Sequence, residues 1–121
     1  CALPVCSYFL SIPYAPVRRL MDANVPVALA TDFNPGSAPS GNMGRVVQMG
    51  MVKMKMHPLE AIAAATINGA AAMGLADVAG TIGIGRSANL LLTKRIDGLE
   101  TMGYAFGEES VEKVFIGGVQ Q

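Results

Sequence analysis

The fold of this chain is decided by residues 26–41, whose sequence is PVALATDFNPGSAPSG. Residues 27–30 form a continuous apolar run between Pro26 and Asp32, which is typical of a strand buried on both faces. Residues 32–41 are rich in turn-forming residues and predict a loop at the carboxyl end of that strand.

A short helix is predicted before the buried run. Residues 15–24 have an amphipathic pattern, with Pro16 in the first turn. Because a helix followed by a buried strand indicates a parallel layer arrangement, the predicted fold class is α/β.

Three helices are predicted after the loop. From Met43 an apolar stripe recurs at helical spacing, and the polar residues opposite it include Gln48. A second helix starts at residues 57–60, with proline in its first turn. Asn68 is expected to cap a third short helix, residues 69–73. The buried side of the second helix is expected to be Leu59, Ile62, Ala63, Thr66 and Ile67.

The two ends of the chain have different patterns. Residues 1–14 show no sustained period and are predicted to be a loop. After Gly80 the pattern becomes β, with strands expected near residues 81–85, 88–92 and 112–116. Because two or three short strands do not make an independently stable sheet, we expect partner strands from outside this chain.

Composition excludes two classes of function. Nine Lys and Arg residues balance nine Asp and Glu residues, so no basic surface for nucleic acid is expected. No stretch approaches the roughly 20 apolar residues of a membrane span.

Cys1 and Cys6 fit neither the usual zinc spacing nor a disulfide framework, which favours a reduced, cytoplasmic compartment.

The charge content is low for a complete small domain. Charged residues are 15% of the chain, against about 25% in ordinary globular proteins. Together with the start at Cys1, this predicts an interior-to-C-terminal part of a larger protein. We expect the chain to form homo-oligomers through apolar faces that the rest of that protein would cover.

The loop carries the candidate functional residues. Asp32 lies where ligand sites form in parallel α/β proteins, but an aspartate there can also simply bind loop N–H groups. The sequence Asn34-Pro35-Gly36-Ser37 favours a type II turn that exposes the Asn side chain and the Gly and Ser N–H groups, which suit a carboxylate. His57 is expected to be an exposed cap residue, because a metal site needs several protein ligands.

Residues 30–37, followed by residues 39–43, resemble the segment after the last barrel strand of imidazolonepropionases, which belong to the amidohydrolase superfamily. Residues 80–90 are similar to the superfamily sequence G-x-I-x-x-G-x-x-A-D-L, with Asn89 in place of the Asp. The resemblance implies the C-terminal part of a TIM (β/α)8 barrel. Residues 1–79 would then end the barrel, and residues 80–121 would supply strands of a small β domain. Further matching stretches are 3–4, 8–10, 66–71 and 73–75.

The same resemblance implies roles for individual residues. Asp32 would ligate a zinc or iron ion and help to activate the attacking water. Asn34, Gly36 and Ser37 would contact the substrate, 4-imidazolone-5-propanoate, which is hydrolysed to N-formimino-L-glutamate in histidine degradation. The remaining metal ligands and a substrate-binding arginine would lie upstream of Cys1, so this chain alone would be inactive.

Two alternatives remain open from the sequence. One is another cyclic-amide amidohydrolase with the same barrel end, which the Asn-Pro-Gly-Ser turn disfavours. The other is a non-catalytic module that self-associates through its apolar surface.

Overall fold

A computed structural model describes residues 1–121. The chain combines six helices with three strands and is α/β, as predicted, but the strands form one antiparallel sheet rather than the expected parallel layer. None of its helices combines the length and apolar character of a membrane span. The elements in chain order are α1 (Pro4–Phe9), α2 (Val17–Asp22), α3 (Met43–Met54), α4 (Pro58–Ala65), α5 (Ile67–Ala72), β1 (Leu90–Thr93), α6 (Glu100–Tyr104), β2 (Val111–Ile116) and β3 (Val119–Gln120).

The apolar run at residues 27–30 is buried over its first three residues, but it forms one parallel bridge rather than a strand. The Ala2 N–H donates to the Ala28 carbonyl at 2.8 Å, and the Ala30 N–H donates to the Ala2 carbonyl at 3.2 Å. Pro4 then starts α1, so the pairing cannot extend along the run. The prediction of a strand is therefore wrong, although the prediction of burial is confirmed.

Helices α4 and α5 supply the remaining partners of this buried segment. The Leu29 N–H donates to the Ala64 carbonyl at 3.0 Å. Asn68 Nδ2 donates to the Val27 carbonyl at 2.8 Å. Asn68 lies inside α5, whose N-cap is Thr66, so the predicted capping role of Asn68 is wrong. Its amide satisfies a buried backbone carbonyl instead.

Helix α3 begins directly after the loop, as predicted. Asn42 caps it, because Asn42 Oδ1 accepts a hydrogen bond from the Arg45 N–H at 3.0 Å. The residues of the apolar stripe are buried or half-buried. Gln48 was expected on the exposed polar side, and this is wrong: only 4% of Gln48 is exposed.

Helix α4 also begins as predicted, with His57 as an exposed N-cap. The Glu60 carboxylate accepts the His57 N–H at 2.7 Å, which completes a capping box. The expected buried side is wrong, because Leu59, Thr66 and Ile67 are exposed and the fully buried residues are Ala61 and Ala64. Small residues face α3 here because the helices approach closely at Gly50: a Cβ added at Gly50 would lie 3.7 Å from the Ala61 Cβ.

Two helices lie where none was predicted. Helix α1 falls in the predicted loop, and α6 falls in the predicted β region. With six and five residues, they are too short to show a helical period. Helix α6 is held against α3, where a Cβ added at Gly103 would lie 3.1 Å from the Met51 sulfur.

The strand predictions are confirmed in two of three places. Strands β1 and β2 correspond to the strands expected near residues 88–92 and 112–116. Residues 81–85 form no strand. Asn89 Oδ1 accepts a hydrogen bond from the Gly117 N–H at 2.9 Å, and an aspartate oxygen could accept the same bond.

Much apolar surface is uncovered, since only 19 of 121 residues are buried. Cys1 and Cys6 are free cysteines. Homo-oligomer formation stays a prediction. The division into a barrel end, residues 1–79, and a small β domain, residues 80–121, also stays a prediction. The most exposed large apolar side chains are those of Ile84, Tyr104, Ile82, Phe33 and Met73.

Gly80 has a φ of +86°, and a Cβ added there would lie 2.8 Å from the Ala70 Cβ and 2.9 Å from the Thr66 carbonyl oxygen. We expect Gly80→Ala to reduce the free energy of unfolding by about 1–2 kcal/mol, because alanine is strained at this φ. The close contacts of the added Cβ should reduce it by about a further 1–3 kcal/mol. Gly74→Ala is the control, because Gly74 has a φ of +71° with nothing within 4 Å. Urea unfolding should show the larger loss at Gly80; equal losses would contradict the packing argument.

An ion pair joins α2 to α4. Arg18 Nη1 lies 2.9 Å from Glu60 Oε2, and both side chains are partly exposed. The hydrogen bond from Arg18, and then that from the His57 N–H, lowers the pKa of Glu60 below its ordinary value of 4.5.

A carboxyl group whose pKa is lower in the folded than in the unfolded state stabilises the fold when the pH is above the unfolded-state pKa. This stabilisation is lost as the pH falls through the folded-state pKa. We therefore expect the thermal midpoint of the parent to exceed that of Glu60→Gln at neutral pH, with the difference narrowing in acid. Glutamine can still accept the capping hydrogen bond, so the comparison isolates the charge. A difference that does not change with pH would contradict this assignment.

Candidate functional site

The candidate site is the loop of residues 32–41, between the buried segment and α3. Asp32 is exposed and has a φ of 53°, a left-handed conformation that is uncommon outside glycine. No hydrogen bond of the structure involves its carboxylate. The alternative in which Asp32 binds loop N–H groups is therefore wrong for this structure, and the carboxylate is free for another partner.

Asn34 organises the predicted turn. Its Oδ1 accepts hydrogen bonds from the Gly36 N–H at 2.9 Å, the Ser37 N–H at 2.8 Å and the Ser37 hydroxyl at 3.2 Å. Its Nδ2 donates to the Asp32 carbonyl. A turn is present at Asn34-Pro35-Gly36-Ser37, but the predicted type II is wrong, because Gly36 does not have the positive φ that this type requires. The expectation that the turn's donors are exposed is also wrong, because they are bonded to Asn34.

The structure thus brings three of the four candidate residues together. Asn34, Gly36 and Ser37 form one hydrogen-bonded turn, whereas Asp32 joins it only through its backbone carbonyl. The Asn34 amide oxygen accepts three hydrogen bonds. An anionic oxygen at the same position would meet the same three donors.

A metal centre cannot be built from these residues alone. No group of three or more His, Cys, Asp or Glu side chains is placed to hold a metal ion. The only histidine, His57, is engaged as a cap, with its Nδ1 accepting the Leu59 N–H at 3.4 Å. Asp32 by itself offers one carboxylate, which is a ligand type that zinc and iron accept but not a complete site.

The far end of the loop is fixed by residues that the sequence reasoning missed. The Asn42 N–H donates to Ser40 Oγ at 3.4 Å, and Asn42 Nδ2 donates to Glu109 Oε2 at 3.3 Å. An asparagine just before a helical stripe is a recognised capping signal and could have been found. Glu109 carries no local signal, because the contact joins positions 67 residues apart.

We expect Asn34→Ala to speed amide hydrogen exchange at Gly36 and Ser37, roughly fivefold for a lost hydrogen bond of typical strength. Asn34→Asp is the matched control, because it keeps an acceptor at the same position. Exchange can be followed by NMR or mass spectrometry at constant pH. Unchanged exchange in Asn34→Ala would show that Oδ1 does not hold the turn.

Residues 9–120 match the family model described as the Amidohydrolase family. The chain is 57% identical over 117 residues to the imidazolonepropionase of Christiangramia forsetii, which covers 97% of this chain and 28% of that protein. It is 59% identical, with the same coverage, to the imidazolonepropionase of Flavobacterium johnsoniae. The imidazolonepropionase of Geobacillus thermodenitrificans is 42% identical over 116 residues, or 96% of this chain and 27% of that protein. The chain therefore spans just over a quarter of the length of these curated relatives.

Two solved structures have a similar fold. A zinc-bound adenosine deaminase from Xanthomonas campestris superposes with a TM-score of 0.83 at 25% identity, covering 98% of this chain and 30% of that one. Guanine deaminase from E. coli superposes with a TM-score of 0.80 at 19% identity, covering 98% of this chain and 32% of that one.

Proposed function

Since the chain belongs to the amidohydrolase family, we propose that it is a segment of an imidazolonepropionase. The proposed reaction is hydrolysis of the cyclic amide of 4-imidazolone-5-propanoate to N-formimino-L-glutamate, a step of histidine degradation. The observation that carries the proposal is the identity of 57–59% over 117 residues to two imidazolonepropionases. Because this chain spans 28% of their length, the activity is proposed for a chain of the relatives' size.

Within such a chain, we place residues 1–79 at the end of a (β/α)8 barrel and residues 80–121 in a small β domain. The buried segment at residues 27–29 has a parallel bridge to Ala2 and is followed, three residues after Leu29, by the exposed carboxylate of Asp32. This arrangement supports the placement, because barrel active sites lie at the carboxyl ends of parallel strands. The uncovered apolar side chains also agree with it, since further residues of a longer chain could pack over them.

Asp32 is proposed to act at the reacting centre. Its exposed carboxylate, free of hydrogen bonds, is available to take the proton of an attacking water. We also propose it as one ligand of a zinc or iron ion whose other ligands lie outside this chain. The residues present do not complete such a centre.

The turn at Asn34 is proposed to bind the carboxylate end of the substrate. The Asn34 amide oxygen already receives the Gly36 N–H, the Ser37 N–H and the Ser37 hydroxyl. A carboxylate oxygen of the substrate could take its place, or share these donors, with a stronger charge-assisted interaction. Gly36 and Ser37 would then contact the propionate directly, and Asn34 would keep their donors aligned until it binds.

The experiment is a chimaera in which this chain replaces the matching segment of the Flavobacterium johnsoniae imidazolonepropionase. We expect the chimaera to hydrolyse 4-imidazolone-5-propanoate, followed by loss of the imidazolone absorbance. Adenosine, guanine and other cyclic amides should not be turned over. Preference for another cyclic amide would favour a different amidohydrolase, and a folded chimaera with no turnover would favour a non-catalytic role.

In the active chimaera, Asp32→Asn should lower kcat/KM by at least about a hundredfold, as expected when a residue that transfers a proton is lost. Asparagine tolerates the left-handed conformation of this position, so the backbone should be kept. Asp77→Asn, at another exposed aspartate, is the control and should leave turnover unchanged. Full activity in Asp32→Asn would refute the role of Asp32.

A further inference from the structure

We propose that Gln48 is a positioning residue for the loop of residues 32–41 and acts through residues 105–109, which we call the brace. Where it concerns the substrate, the inference rests on the function proposed above. Gln48 is the only polar side chain in the buried set, with 4% of its surface exposed. A buried amide of this kind needs partners for both its oxygen and its nitrogen.

Both partners come from the brace. Gln48 Nε2 donates to the Ala105 carbonyl at 3.2 Å, and Gln48 Oε1 accepts the Gly107 N–H at 3.1 Å. The two contacts hold the backbone directly after α6 against the first half of α3. Because the amide engages one carbonyl and one N–H, it fixes the orientation of the brace as well as its distance.

The brace carries the constraint on to the loop. Glu109 lies two residues beyond Gly107, and its carboxylate accepts the hydrogen bond from Asn42 Nδ2 at 3.3 Å. Asn42 also caps α3 through Arg45 and donates its N–H to Ser40 Oγ, which lies in the loop. Gln48 is therefore connected to the loop through Glu109 and Asn42.

The loop is consequently held at both ends, and Ala38 between them is fully buried. The buried segment fixes the end at Asp32, and Asn42 fixes the other end. If the brace is released, the turn that contains Gly36 and Ser37 keeps its internal hydrogen bonds and its bond to the Asp32 carbonyl, but the stretch between the turn and α3 loses one of its anchors, so the turn is held less firmly. Misplacement of substrate-contacting groups should appear mainly in KM.

The first test uses Gln48→Leu in the chimaera, which introduces an apolar side chain of similar size and removes both hydrogen bonds. Met51→Ala is the matched control, because Met51 packs against Gly103 in the same α3–α6 contact without bonding to the brace. Hydrogen exchange of residues 32–41 is measured by mass spectrometry, together with the thermal midpoint and with kcat and KM for 4-imidazolone-5-propanoate.

A second pair of variants lies on the surface and remains informative if Gln48→Leu does not fold. Glu109→Ala removes the acceptor for Asn42. Glu109→Gln keeps an acceptor oxygen and should restore the parent behaviour. This rescue distinguishes positioning from a general effect of charge.

We expect Gln48→Leu and Glu109→Ala to speed exchange in residues 32–41 and to raise KM about fivefold, with kcat nearly unchanged. Met51→Ala and Glu109→Gln should do neither, even where Met51→Ala lowers the thermal midpoint as much as Gln48→Leu does. Loop exchange equal to that of the parent in Glu109→Ala and in any folded Gln48→Leu would overturn the proposal. Hydrogen exchange can be measured without turnover. A folded but inactive chimaera would therefore refute the proposed function, while the exchange data would still decide this inference.

Discussion

Residues 27–29 are buried, and their backbone polar groups must find partners without water. Three separate parts of the chain supply them: Ala2 before α1, Ala64 in α4 and Asn68 in α5. These hydrogen bonds bring α1, α4 and α5 around one short segment. The loop that begins at Asp32 therefore follows a segment that is held by hydrogen bonds to three parts of the chain.

Local signals in the sequence predict the elements on either side of this segment well. The start of α3 follows from the apolar stripe that begins at Met43, and the start of α4 follows from the His57-Pro58 pair, because both signals depend on neighbours within a few residues. The presence of a turn at Asn34-Gly36-Ser37 follows for the same reason, although its predicted type does not. What the local signals do not contain is the direction of each donor, and so the exposed N–H groups that the turn type suggests are instead bonded to Asn34.

Several of the wrong predictions share a physical cause, which is that their outcome depends on distant residues. The inner face of α4 is set by close approach to Gly50, and alanines fill it while Leu59 faces outward. The local sequence pattern predicts that Gln48 is exposed, because it does not show that Ala105 and Gly107 pack against this side chain. The sequence left open whether the Asp32 carboxylate binds loop N–H groups, and its proposed metal-binding role depends on groups that this chain does not contain.

The contacts of Gln48 also have a consequence for the order of folding during synthesis. Its two partners lie 57 and 59 residues later in the chain. At ribosomal rates of about 5–20 residues per second, the amide waits on the order of several seconds before Gly107 has been made. Until then α3 presents an unpaired polar group on its inner face, so it can pack on α1 and α4 early but reaches its final position only after α6 has emerged from the ribosome.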